Sequence, residues 1–162
     1  MGEATYYLKA TYGSTEDAKK AMKKIKQFFL QGAKAYDFWQ TNRGAENGPP
    51  KGPFDKRSKD SPIVTREDFW ALFKQKFPLI CEMIPDLVGK DCNNSPAGQM
   101  SFGSEEDIKS LQVNDAEHSV RYHAVVWHCA SWDRIAQWIQ ANTKAITVKW
   151  ISDEDVNIEE LL

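Results

Sequence analysis

Cysteine is scarce in this chain: Cys81, Cys92 and Cys129 are odd in number, widely spaced and never arranged as Cys-x-x-Cys. A disulfide framework would more often bring an even set, so the pattern predicts reduced thiols and a cytoplasmic setting. Long apolar runs are missing too. None approaches the roughly 20 residues that span a bilayer, so no membrane association is expected. The opening MGEATYYLKATYG has no basic flank leading into an apolar stretch and is not read as a secretory signal. Neither the G-x-x-x-x-G-K phosphate loop nor the G-x-G-x-x-G dinucleotide turn occurs, and no cofactor is expected.

Aromatic and charged residues are plentiful. The 162 residues are 12% aromatic, with six Trp, and 27% charged. A chain of this length hides roughly 70% of its extended surface on folding, enough for one domain over 1–162. The formal net charge is only −2, yet residues 1–76 carry 15 Lys+Arg against 9 Asp+Glu, while residues 77–162 carry 6 against 14. The basic excess lies in Lys19, Lys20, Lys23, Lys24 and Lys26, then in Lys51, Lys56, Arg57 and Lys59. The acidic excess lies in Glu105-Glu106-Asp107 and in a C-terminal tail, 152–162. Such asymmetry marks either a polyanion-binding face or an ordinary solvated helix.

Periodicity sets the elements. Residues 4–12 mix β-branched and aromatic side chains in partial alternation, which predicts a strand with Tyr6, Leu8 and Ala10 on one face. Ser14 caps a helix in which Ala18, Met22, Ile25, Phe29, Ala33 and Tyr36 recur at three- and four-residue steps, expected to run to about Trp39 and to be weakened at Gly32. Residues 42–62 hold three Gly and four Pro and read as a long mobile loop. Thr65 with Asp68 resembles a capping box, opening a helix with Phe69, Trp70, Leu72, Phe73 and Phe77; a further helical segment spans Leu79 to Val88. Gln99 to Phe102 is a strand candidate, and Ile108 to Val113 another or its continuation. Ser119 to Cys129 is the strongest strand, with Val120, Tyr122, Ala124 and Val126 facing one way. Ser131 caps a helix over Trp132 to Asn142, and Ala145 to Ile151 closes the series as a strand.

The order strand, helix, inserted helices, strand, strand, helix, strand is the pattern of an α+β, ferredoxin-like split βαβ sandwich. Its antiparallel sheet would carry the helices on one face, and residues 42–98 would form a loop and helical insertion.

Three functional classes follow. His118, His123 and His128 sit five apart around one strand, where neighbours in that series face opposite sides, and His118 and His128 would be about 33 Å apart, so no metal site is expected. A small hydrolase or nuclease would draw on His123 with an acid such as Asp133. A nucleic-acid binder would use Lys19, Lys20, Lys23, Lys24, Lys26, Lys56, Arg57 and Lys59. The leading expectation is a non-enzymatic binding or regulatory module that contacts protein or forms a homo-oligomer. Six Trp are many for one small sandwich, and Trp39, Trp70 and Trp138 are expected at an interface with Leu161 and Leu162. The acidic tail, with Val156, Ile158, Leu161 and Leu162 as its apolar handles, would dock on a neighbour's basic helix.

Overall fold

The computed structural model describes residues 3–94, 96, 99–127 and 131–153. Strand β1 (Glu3–Thr11) alternates as the sequence predicts: Ala4, Tyr6, Leu8 and Ala10 are buried, and Thr5, Tyr7, Lys9 and Thr11 are half-buried. Strand β3 (Ser119–Trp127) repeats the pattern, burying Val120, Tyr122, Ala124 and Val126 and exposing His123 and Val125. Because side chains alternate with period two, antiparallel register places like faces together: Leu8 lies opposite Tyr122 and Tyr7 opposite His123. Strand β4 (Thr147–Ser152) pairs with the other edge of β1, Leu8 opposite Trp150, and β2 (Gln112–Asn114) pairs with β3. The result is a four-stranded antiparallel sheet in the order β2-β3-β1-β4.

Helix α1 (Thr15–Asn42) starts where Ser14 accepts a hydrogen bond from the Asp17 N–H, and it continues past the expected end at Trp39. Its buried stripe is Ala18, Ala21, Ile25, Phe28, Phe29, Gly32, Ala35 and Trp39, one step around the wheel from the expected one, so that Met22, Ala33 and Tyr36 flank it. Gly32 does not interrupt the helix, because the Phe102 ring lies directly over it. Helix α2 (Arg66–Lys76) carries the full Thr65–Asp68 capping box. Helix α3 (Pro78–Met83) is shorter than the segment to Val88 read from the sequence.

Gln99 to Phe102 is not a strand. Met100 and Phe102 point into the core, and the Phe102 carbonyl is satisfied by the Tyr122 hydroxyl at 2.7 Å rather than by a ladder. Ser104 then caps a short helix α4 (Glu105–Ile108) in a reciprocal box with Asp107. The Glu105-Glu106-Asp107 cluster is therefore a helix first turn, where acids complement the dipole. The edge strand shrinks to Gln112–Asn114 as a consequence. Helix α5 (Trp132–Asn142) lies where expected, though Ser131 provides no side-chain cap. The last strand begins two residues later than read, leaving Ile146 exposed.

The Gly- and Pro-rich segment after α1 is held, not free. A 3-10 turn at Arg43–Asn47 follows the helix, and the Arg57 side chain is enclosed. Arg57 donates to both Asp55 oxygens (3.0 and 2.7 Å) and to the Ile63 carbonyl (2.7 Å). Polar bonds order this stretch, which is why its lack of apolar residues gave no sign of order. The buried apolar residues form one cluster between the sheet and the helices, with Tyr6 against Trp132, Tyr122 against Phe29, and Phe28 stacked on Trp138 at 3.9 Å. Among the described residues, no helix is long and apolar enough to cross a membrane.

Candidate binding surfaces

The sheet face opposite the core is the first candidate. Pleating sends Thr5, Tyr7, Lys9, Arg121, His123, Val125, Lys149 and Ile151 to this side, and no described element packs across it. Antiparallel sheets tolerate such a face when it is polar. Here it is mixed: Val125 is 49% exposed, and the Tyr7 and His123 rings lie 6.2 Å apart. Glu117, on the β2–β3 turn, bridges Lys9 and Arg121 at 2.7 Å each, and these two cations hold its carboxyl down to about 2. Lys149, exposed and directly opposite Lys9, adds a third cation, and the exposed Asp153 follows Ile151 by two residues at the end of β4.

The expected catalytic pair is not assembled. His123 stands on the bare face, whereas Asp133 starts α5 on the covered side and accepts a hydrogen bond from the Trp150 indole at 3.0 Å. The sheet lies between them, so no proton can pass directly from one to the other. His118 takes a positive φ of 52° in the β2–β3 turn, and its Nδ1 lies 2.9 Å from the Thr15 hydroxyl. His128 and Cys129 lie outside the described residues, among which no group of three or more His, Cys, Asp or Glu side chains is placed to hold a metal.

The basic residues divide. Lys19, Lys20, Lys23, Lys24 and Lys26 are exposed on the first half of α1, and Lys24 donates to the Asn142 carbonyl. Lys56 and Lys59 are exposed at the far end of that helix, roughly 24–35 Å away at 1.5 Å per residue. Arg57 is corrected from a surface contact to a buried partner of Asp55, whose carboxyl it holds well below the usual range. Beside this pair, Arg43, Lys51, Phe54 and Lys56 line a cavity of about 470 Å³. Phe54 is 97% exposed. Sequence reading did not single it out, because nothing in periodicity marks a lone ring inside a Pro- and Gly-rich loop.

The tryptophans expected at an interface are inside the chain. Trp39, Trp70 and Trp138 are all buried, and each indole N–H has an internal acceptor: the Cys92 carbonyl at 2.8 Å, the Lys90 carbonyl at 2.7 Å and the Glu82 carboxylate at 3.2 Å. The segment inserted between α1 and β2 supplies the partners of these three rings. Leu161 and Leu162 lie outside the described residues.

A polar cluster joins Cys92, Glu46 and Arg66. Cys92 is buried, with its Sγ 3.3 Å from Glu46, whose carboxylate Arg66 grips with its guanidinium. Burial, and then the Glu46 carboxylate, push the thiol up to about 12, while Arg66 holds Glu46 down to about 2. Both influences disfavour the thiolate, the form in which a cysteine attacks. The cluster instead ties the loop at Cys92 to the 3-10 turn and the start of α2. Comparison with family models, with curated proteins and with solved structures finds no match to this chain.

Proposed function

We propose that this chain is a non-enzymatic binding module that self-associates, the bare sheet face of one copy receiving the acidic segment 154–162 of another. The observation that carries this reading is a sheet face that no described element covers, where apolar Tyr7, Val125 and Ile151 stand among Lys9, Arg121 and Lys149. Segment 154–162 has the complementary chemistry, Glu154, Asp155, Glu159 and Glu160 interleaved with Val156, Ile158, Leu161 and Leu162. Opposite charge steers and orients such a contact, and apolar burial holds it. The separation of His123 from Asp133 favours binding over catalysis. Strand order β2-β3-β1-β4, with a helical crossover in each half, supports reading the architecture as a ferredoxin-like split βαβ sandwich. That architecture names no chemistry of its own, so the surface carries the assignment.

Sedimentation equilibrium tests it. The full chain should exceed monomer mass at micromolar concentration, and Val125→Glu, Lys149→Glu and a chain ending at Asp153 should each run as monomers with unchanged far-UV dichroism. A full chain that stays monomeric, or variants that associate as well as the parent, would overturn the reading.

A further inference from the structure

We propose that the cavity beside the Asp55–Arg57 pair is a binding site for a nucleotide unit, a flat base carrying phosphate. Three independent features converge on it. The first is Phe54, an almost fully exposed ring at the mouth of the cavity. An aromatic face left in water offers a stacking platform for any base.

The second is the stiffness of the turn that presents the ring. The Asp55 carboxylate accepts from the Lys51 N–H at 3.3 Å and from the Arg57 N–H and Nε at 3.0 Å each, closing residues 51–57 into one unit. Pro53 precedes the ring and Arg57 is anchored to Ile63, so Phe54 is displayed from a fixed base. Gly44 lets the pair seat against the 3-10 turn, since a Cβ there would meet Asp55 Oδ2 at 3.0 Å. Little order has to be gained on binding, which favours affinity.

The third is charge and edge chemistry. Arg57 neutralises Asp55, which leaves Arg43, Lys51 and Lys56 as the net field of the cavity. The Arg43 guanidinium is itself oriented, 4.5 Å over the Trp39 ring with its Nε on Asn93 Oδ1. Gln40 and Thr41 line the same wall and supply the donors and acceptors that base edges require. A volume of about 470 Å³ suits one such unit. The lysines on the first half of α1 are too distant to join this site, so it reads a single unit and not a continuous basic stripe.

The same chemistry comes from a free nucleotide or from a unit within a single strand, and the experiment separates them. Fluorescence anisotropy with fluorescein-labelled dT10 and calorimetry with ATP are run at 50 and 200 mM salt. Binding of ATP and dT10 alike assigns a free-nucleotide site; binding of dT10 alone assigns a strand. In either case Phe54→Ala should weaken binding roughly ten-fold, and Lys51→Gln with Lys56→Gln should flatten the salt dependence. Lys19→Gln with Lys20→Gln, and Val125→Glu on the sheet face, should leave it unchanged. The Phe54 side chain is solvated, so its loss should not disturb folding, which dichroism checks. The site is refuted if neither probe binds at 50 mM salt, if Phe54→Ala binds as well as the parent, or if an octaglutamate peptide competes as effectively as dT10.

Discussion

Gly32, in the middle of α1, lies beneath the ring of Phe102: a Cβ at position 32 would stand 2.9 Å from both Cγ and Cδ2 of that ring. The ring cannot move aside, because Phe28 meets it edge-on at 4.9 Å and Phe29 at 5.4 Å. A glycine that costs helix propensity thus permits a close approach of helix and ring in the core.

Gly32→Ala tests this contact. Propensity alone would stabilise the helix by about 1 kcal/mol. Overpacking against a fixed ring costs roughly 1–3 kcal/mol and should prevail. Urea unfolding should show net destabilisation, and the effect should shrink or change sign in a Phe102→Leu background, since the two positions share one space. Stabilisation by Gly32→Ala alone would contradict the packing described.

Acid should unfold the protein within a narrow window. Glu46, Asp86 and Glu117 are each held down to about 2, by Arg66, by Arg134, and by Lys9 with Arg121. A carboxylate whose value is lower in the folded chain than in the unfolded one stabilises fully above the unfolded value of about 4.5 or 3.8 and loses that contribution as pH falls toward the folded one. The melting temperature should therefore be nearly flat between pH 7 and 5 and fall between about 4.5 and 2. Glu46→Gln, the least exposed of the three, should lower the plateau and soften the fall. A decline complete before pH 5 would remove these ion pairs from the account.

Cys92 should be inert. With its thiol near 12, the thiolate fraction at pH 8 is about a thousand-fold below that of an ordinary cysteine, and burial blocks access besides. Iodoacetamide labelling at pH 8, read site by site by mass spectrometry, should leave Cys92 unmodified in the folded chain and modify it in guanidinium. Rapid labelling of the native protein would mean that the Glu46–Arg66 cluster opens.

Much of the fold was legible along the chain, and the legible part was local. Ser14, Thr65 and Ser104 all cap helices through their own side chains, yet the Ser104 box was overlooked because neighbouring Phe102 reads as strand. The sheet face could be read as well, since alternation in β1 and β3 already sorts Tyr6 from Tyr7 and Tyr122 from His123. The cavity could not. Arg57 reads as a loop cation until Asp55 and Ile63 enclose it, and Trp39, Trp70 and Trp138 read as surplus until the inserted segment supplies their partners.

Sequence by itself determined β1, β3, the long helices and the charge on each segment, because periodicity, caps and composition act between residues a few positions apart. Only the tertiary structure decided which cations stay at the surface, which aromatics become core, and that His123 and Asp133 stand on opposite sides of a sheet. Those outcomes depend on burial and on partners such as Lys9 and Glu117, which are 108 positions apart in sequence and 2.7 Å apart in space.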